Sequence, residues 1–221
     1  GRFAAERGEF LDGPATQWVE DLLPLVLDEG IGAFILMTDD RADAIAASLG
    51  LEPDRKRLVC CCRLIPLKRV DLAIDAFAAI AQARPDWDLI IVGKGESQPD
   101  LERRAGELLT HRRVRFLGFQ DTTNLAAIYK RSHSMVLASD YEPWALVINE
   151  AAAAGLALVA SDRVGAAYEL VRDGRNGFMF PAGDLARLTE ALRAVTDPAK
   201  IGGMRAESLR EIARWRREAD P

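Results

Sequence analysis

From Leu58 to Ala160 short apolar runs alternate with amphipathic stretches, and this alternation limits the fold more than any other feature of the chain. The apolar runs predict strands over Leu58 to Arg63, Leu89 to Val92, Val114 to Leu117, Ser134 to Leu137 and Ala157 to Ala160. Between them, apolar residues near the 3.6-residue period predict helices over Val70 to Ala83, Pro99 to Leu109, Thr123 to Arg131 and Leu146 to Ala154. Strand and helix in turn are the rhythm of βα units around a parallel sheet. The expected fold class is therefore α/β, a doubly wound parallel sheet with its ligand at the carboxyl ends of the strands.

After Gly183 the pattern turns wholly helical, over Leu185 to Val195 and Met204 to Arg217, with Asp197-Pro198 and Gly202-Gly203 as breakers between. In the last helix Leu209, Ile212 and Trp215 form a narrow stripe, suited to docking on a neighbour rather than entering a core. The first fifty residues break the βα rhythm. They predict a helix over Ala15 to Glu29, a strand over Ile31 to Met37 and a helix over Arg41 to Leu49. The division read from this is an αβ extension over residues 1–50 and a ligand-binding domain over 51–221.

A chain of 221 residues, 49% of them hydrophobic, can bury a full core without disulfides. The net charge of -5 argues against a nucleic-acid binder, because affinity for a phosphate backbone needs a basic field. Any phosphate site must be built locally. No apolar run of about 18 residues occurs, and the start, Gly1-Arg2-Phe3, has neither a signal-peptide hydrophobic region nor a Met. The expectation is a cytoplasmic protein and a piece of a longer chain. Cys60, Cys61 and Cys62 stand in one strand, where alternation of faces keeps them from converging on a metal. They read as structural thiols.

The stretch from Ala138 to Ala151, Ala-Ser-Asp-Tyr-Glu-Pro-Trp-Ala-Leu-Val-Ile-Asn-Glu-Ala, carries the most chemistry. Pro143 suits the opening of a helix, whose free N–H groups at Ala145, Leu146 and Val147 would form an anion site. Glu142 and Glu150 flank that position and can accept hydrogen bonds from sugar hydroxyls. A second cluster, Cys62-Arg63-Leu64-Ile65-Pro66-Leu67-Lys68-Arg69, places the Arg63 fork and the Lys68 point charge in a loop at the ligand edge, fit for a diphosphate. A third, Ile90-Ile91-Val92-Gly93-Lys94-Gly95-Glu96, is a glycine turn directly after a strand. Gln98 stands where a dinucleotide fingerprint needs its third glycine, so a nicotinamide site is not expected.

Glu142 and Glu150 in this setting, followed by the small-residue run Ala151 to Gly155, resemble the Glu-x7-Glu motif of the retaining GT-B glycosyltransferases of family four. The resemblance extends over Arg55 to Val195. It implies the Rossmann-like donor domain of that fold, with a helical carboxyl-terminal segment, binding a nucleoside diphosphate sugar such as a UDP or GDP sugar. In that comparison Arg63, Lys68 and the amides of Ala145, Leu146 and Val147 neutralise the leaving diphosphate. Glu142 takes a hydroxyl of the transferred sugar and Glu150 the ribose hydroxyls. Gly93 and Gly95 match the family's Gly-x-Gly loop near the donor, and Arg115-Phe116-Leu117-Gly118-Phe119-Gln120 the strand whose following loop touches the nucleobase. Phe119 reads equally as core. Cys62 replaces the family's usual glycine, and Ala166 one glycine of the loop Val164 to Val171, behind which Asp173 to Phe178 reads as a short hairpin.

The resemblance implies front-face attack by an acceptor hydroxyl, with no cofactor and no catalytic metal. It also implies an acceptor domain that this chain lacks, often bringing a catalytic histidine; His111 and His133 do not match that position, and any contact with a membrane surface would come through the absent half. Gly13 to Glu20 and Gly30 to Leu36 resemble the carboxyl-terminal helix and strand of luciferase-like flavin or deazaflavin monooxygenases. The alternatives carried forward are a sugar-nucleotide-binding fragment without turnover and a remnant of such an oxidoreductase.

Overall fold

A computed structural model of the protein describes residues 39–109 and 113–219. Helix α1 (Asp39–Ser48) leads to β1 (Lys56–Cys61), a 3-10 turn (Pro66–Lys68), α2 (Val70–Ala81), β2 (Trp87–Val92), α3 (Gln98–Leu108), β3 (Val114–Phe116) and α4 (Thr122–Lys130). There follow β4 (Ser134–Leu137), α5 (Leu146–Ala153), β5 (Ala157–Ser161), α6 (Gly165–Leu170), β6 (Gly177–Phe180), α7 (Leu185–Val195) and α8 (Ile201–Ala219).

The strands form one parallel sheet in the order β3-β2-β1-β4-β5-β6. The chain winds from β1 out to one edge, returns to the middle at β4 and winds out to the other. The loops that follow β1 and β4 therefore leave the sheet in opposite directions, and a crevice opens between them at the carboxyl edge.

Period-two alternation along β1 serves both faces at once. Leu58 and Cys60 pack with α2, α3 and α7, through Phe77, Ile74, Leu101 and Leu192. Val59 and Cys61 pack with α1, α4, α5 and α6, through Ala42, Tyr129, Ile148 and Ala167. Burial of a side chain the size of Phe77 or Ile74 contributes about 1.5–3 kcal/mol each, which is why the strands read as unbroken apolar runs.

Three expectations need correction. The hairpin expected behind α6 is a tight turn, with the Gly174 N–H donating to the Gly177 carbonyl at 2.9 Å, and then a sixth parallel strand in register with β5. Gly177 is required there, because a Cβ would overlap the Leu158 carbonyl oxygen. The glycines at 202 and 203 do not interrupt α8. They fall in its first turn, bridged by the Met204 N–H donating to the Lys200 carbonyl at 3.1 Å, and glycine costs little where the helix is only starting.

The stripe on α8 also behaves differently from its sequence. Ile212 and Trp215 enter the core, and only Leu209 stays half exposed. A polar clamp sets this docking. Glu207 and Glu211, both buried, pair with Arg175 and with Arg172 at 3.3 Å, and the Ser208 hydroxyl donates to the Leu156 carbonyl at 2.6 Å. The helix and strand expected over residues 15–37 lie outside the described residues.

Candidate functional site

The crevice is assembled from four loops that share backbone hydrogen bonds. The loop after β1 is tied to the loop after β2 by the Leu64 N–H donating to the Lys94 carbonyl at 3.0 Å and the Ser97 N–H donating to the Leu64 carbonyl at 2.9 Å. Gly93 and Gly95 make this approach possible, since a Cβ on either would overlap the carbonyl oxygen of Cys62 or of Leu64. Their absent side chains thus bring two loops together. On the other side the Asp140 N–H donates to the Leu67 carbonyl at 2.9 Å, joining the β1 and β4 loops, and the Glu142 N–H donates to the Arg163 carbonyl at 2.9 Å, joining β4 to β5.

Lys68 and Glu142 meet across the crevice in an ion pair. Arg63 is exposed and has no ion pair among the described residues, so it is free to meet an anion. Arg69, beside Lys68, is occupied by Asp71 at 3.2 Å and Asp140 at 3.5 Å.

The approach to α5 departs from expectation. Pro143 does not open the helix. Residues 142–144 run beside the β5 loop, with the Gly165 N–H donating to the Glu142 carbonyl at 3.0 Å and the Ala166 N–H to the Trp144 carbonyl at 2.8 Å. The helix starts at Leu146, and the turn into it falls on Ala145, held in the left-handed region at φ 79° and ψ 76°. The Leu146 and Val147 amides stand in the first turn, where a helix offers them no acceptor of its own. Gly165 must lack a Cβ because the Pro143 carbonyl oxygen occupies that space, which locates the essential glycine of the loop beside Ala166.

Glu150 lies one turn further along α5. Its Oε2 is buried without a hydrogen bond, and burial raises its carboxyl from 4.5 to about 7, against a smaller lowering by the Tyr129 phenol. Cys61 at the end of β1 is pushed up to about 12 by burial and stays a thiol. Sequence reasoning passed over Tyr129; its one signal was a phenol on the apolar face of α4. Phe119 is 73% exposed at the carboxyl side of β3, which removes the core reading for it. His133 stands at the start of β4, at the opposite edge of the sheet, where burial lowers it to about 4; His111 lies outside the described residues. Among the described residues no group of three or more His, Cys, Asp or Glu could hold a metal ion, and no helix is long and apolar enough to cross a membrane.

The family model of the glycosyl transferases group 1 matches residues 42–214. The chain belongs to the glycosyl transferases group 1 family. Among its relatives in that family, the glycogen synthase of Mycobacterium tuberculosis is 38% identical over 144 residues, covering 65% of this chain and 34% of that protein. This glycosyltransferase domain thus spans about a third of the length of the relative it matches. Its fold is similar to the carboxyl-terminal domain of a glycosyl transferase group 1 family protein from Francisella tularensis, with TM-score 0.73, 19% identity, and coverage of 84% of this chain and 96% of that one. It is also similar to Anabaena HepE in complex with UDP and glucose, with TM-score 0.68, 24% identity, and coverage of 86% and 53%. At these identities the likeness is one of fold. The segments that resemble luciferase-like monooxygenases lie outside both the family match and the described residues.

Proposed function

We propose that this glycosyltransferase domain binds a nucleoside diphosphate sugar in the crevice between β1 and β4 and serves as the donor half of a retaining enzyme. The observation that carries the reading is the Lys68–Glu142 pair, which sets a cation and a carboxylate against each other across the crevice, with Arg63 of the same β1 loop free of ion pairs among the described residues. The diphosphate takes Arg63, Lys68 and the amides at Ala145, Leu146 and Val147; freed from Lys68, Glu142 accepts from a hydroxyl of the transferred sugar. Glu150 accepts from the ribose hydroxyls. Phe119 offers its ring to the base, and Gly93 and Gly95 keep the donor loop close. Solved neighbours of this fold hold UDP, which supports a nucleoside diphosphate as the ligand.

As the diphosphate leaves, negative charge grows on its oxygens. Donors already fixed on that position are worth about 3 to 4 kcal/mol each, and the chain's own cations supply them without a metal ion. An acceptor hydroxyl attacks on the face the diphosphate leaves, so no residue of this domain forms a covalent intermediate. The acceptor is held by a partner domain, and this chain alone binds donor without transferring sugar at an appreciable rate.

Calorimetry with UDP, GDP, uridine, guanosine and flavin mononucleotide tests the reading. One of the diphosphates is expected to bind at least tenfold more tightly than its nucleoside, because each charge-assisted contact contributes about 1.5 to 3 kcal/mol. Equal affinity for nucleoside and diphosphate would overturn it.

A further inference from the structure

A groove of about 370 Å3 runs between α4, α5 and α8. α8 lines it with Leu209, Ala213 and Arg216, α4 with Ala126 and Lys130, and α5 ends on it at Ala154. From Leu209 to Arg216 the groove follows α8 for about 10 Å, and its alanines let a further helix approach closely. Two features mark it as a contact surface. Leu209 is 49% exposed on a helix whose neighbouring apolar residues Ile212 and Trp215 are buried. Arg216 has no ion pair among the described residues, and its Nε and Nη2 are sealed from solvent without a hydrogen bond, so its charge favours an anion beside it.

The chain itself leads to this groove. α1 opens at Asp39, whose carboxylate pairs with Lys130 at 3.2 Å and whose carbonyl accepts from Arg131 at 2.9 Å, so the chain enters the described fold at the groove's edge. In the helix predicted over Ala15 to Glu29, Trp18, Leu22 and Leu25 recur at the helical period, and Glu29 continues the same face. Pro24 falls off that face and leaves the stripe continuous. Trp18 to Glu29 carries four carboxylates and no Lys or Arg, against the two cations of the groove. The ten residues from Glu29 to Asp39 reach up to about 33 Å, well beyond the groove's length.

We propose that the groove between α4, α5 and α8 is the docking site of this chain's own Trp18 to Glu29 segment, with Trp18, Leu22 and Leu25 on the alanines and the Glu29 carboxylate paired with Arg216. This is a helix laid in a groove, where apolar anchors at i, i+4 and i+7 give affinity. Docking covers Leu209 and gives Arg216 its acceptor. None of these residues lies in the donor crevice, so the inference stands apart from the donor reading.

Hydrogen exchange of the whole chain, read by mass spectrometry, tests the docking. In the native protein the amides of residues 18–29 should exchange at least about tenfold more slowly than those of an unstructured peptide of the same sequence. Ala213 is exposed in the described fold, so Ala213→Glu puts a carboxylate into the groove without touching the core, and it should abolish that protection while β1 and β4 stay protected. Leu22→Asp, which alters the segment and not the groove, should do the same. Glu29→Lys should lose most of the protection, and Arg216→Glu added to it should restore it.

Unprotected amides at 18–29 in the native protein overturn the proposal, as does protection that survives Ala213→Glu and Leu22→Asp. Should Ala213→Glu disturb β1 and β4 as well, Leu22→Asp alone decides. Protection that grows with protein concentration makes a second copy the occupant and overturns docking within one chain. Additive losses in Glu29→Lys and Arg216→Glu overturn their pairing.

Discussion

Lys68 and Glu142 lie 74 positions apart in the chain and form an ion pair across the crevice, with side chains only 13% and 20% exposed. Before any ligand arrives, the carboxylate neutralises one of the two cations that would hold a diphosphate. Glu142→Gln is expected to free Lys68, so that UDP binds severalfold more tightly, in keeping with a partly buried pair worth about 1 kcal/mol. The same variant should bind a UDP-sugar less well than its tighter grip on UDP would require, because a sugar contact is lost. Calorimetry with both ligands checks this, and unchanged UDP affinity would show that Lys68 is not held back by Glu142.

Arg63 and Lys68 should respond differently to removal. Arg63 has no ion pair to surrender among the described residues, so Arg63→Ala is expected to cost about 1.5 to 3 kcal/mol of diphosphate affinity with little change in stability. Lys68→Ala should cost less affinity and more stability, since it strands the Glu142 carboxylate in a half-buried site. Affinities and melting temperatures of the two variants side by side decide the matter. The reverse ranking of affinity losses would make Lys68 the principal anion contact.

Ala145 is held at φ 79°, where the Cβ of an L-residue crowds its own carbonyl at a cost of about 1–2 kcal/mol. Glycine occupies that region freely but adds freedom to the unfolded chain worth about 0.4–1 kcal/mol. Ala145→Gly is therefore expected to stabilise the domain by about 0.5–1 kcal/mol, read from chemical denaturation. A loss of stability would mean that the Ala145 methyl contributes more packing than the strain removes.

His133 and Glu150 should tilt acid stability in opposite directions. The His133 imidazole falls from 6.5 to about 4 on folding, so between those values the unfolded chain takes up a proton that the folded one refuses, and stability drops as pH falls. The Glu150 carboxyl rises from 4.5 to about 7, so its contribution is fully present below 4.5 and is lost as pH rises through 7. Each acts at up to about 1.4 kcal/mol per pH unit, and in the shared window from 4.5 to 6.5 the two oppose each other. Relative to the native protein, His133→Asn should lose stability as pH rises through this window, and Glu150→Gln should gain it. Parallel curves for all three proteins would show that neither group is shifted by its surroundings.

Local periodicity determined a great deal without any structure. The alternation from Leu58 to Ala160 named five of the six described strands and the helices between them, because burial on both faces of a parallel sheet writes itself into every strand. The loops bearing Arg63, Gly93 and Glu142 were legible for a related reason. Each directly follows such a strand, and the carboxyl edge is where a doubly wound sheet presents its loops. The sixth strand was missed because Gly177 to Phe180 is short and lies at the sheet edge, half of it only partly buried.

What the sequence could not contain is which groups face one another. That Lys68 is occupied and Arg63 free depends on the strand order that sets the β1 loop against the β4 loop. The left-handed turn at Ala145 arises because the preceding residues are pinned beside the β5 loop, a contact with no signature in residues 142–145 themselves. Tyr129 looked like one more apolar position of a helix until the packing of α4 buried its phenol completely in the core. Propensity and pattern act over a few residues, whereas pairing, desolvation and the charge state of a buried carboxyl are set by side chains from distant segments, so only the tertiary structure decides them.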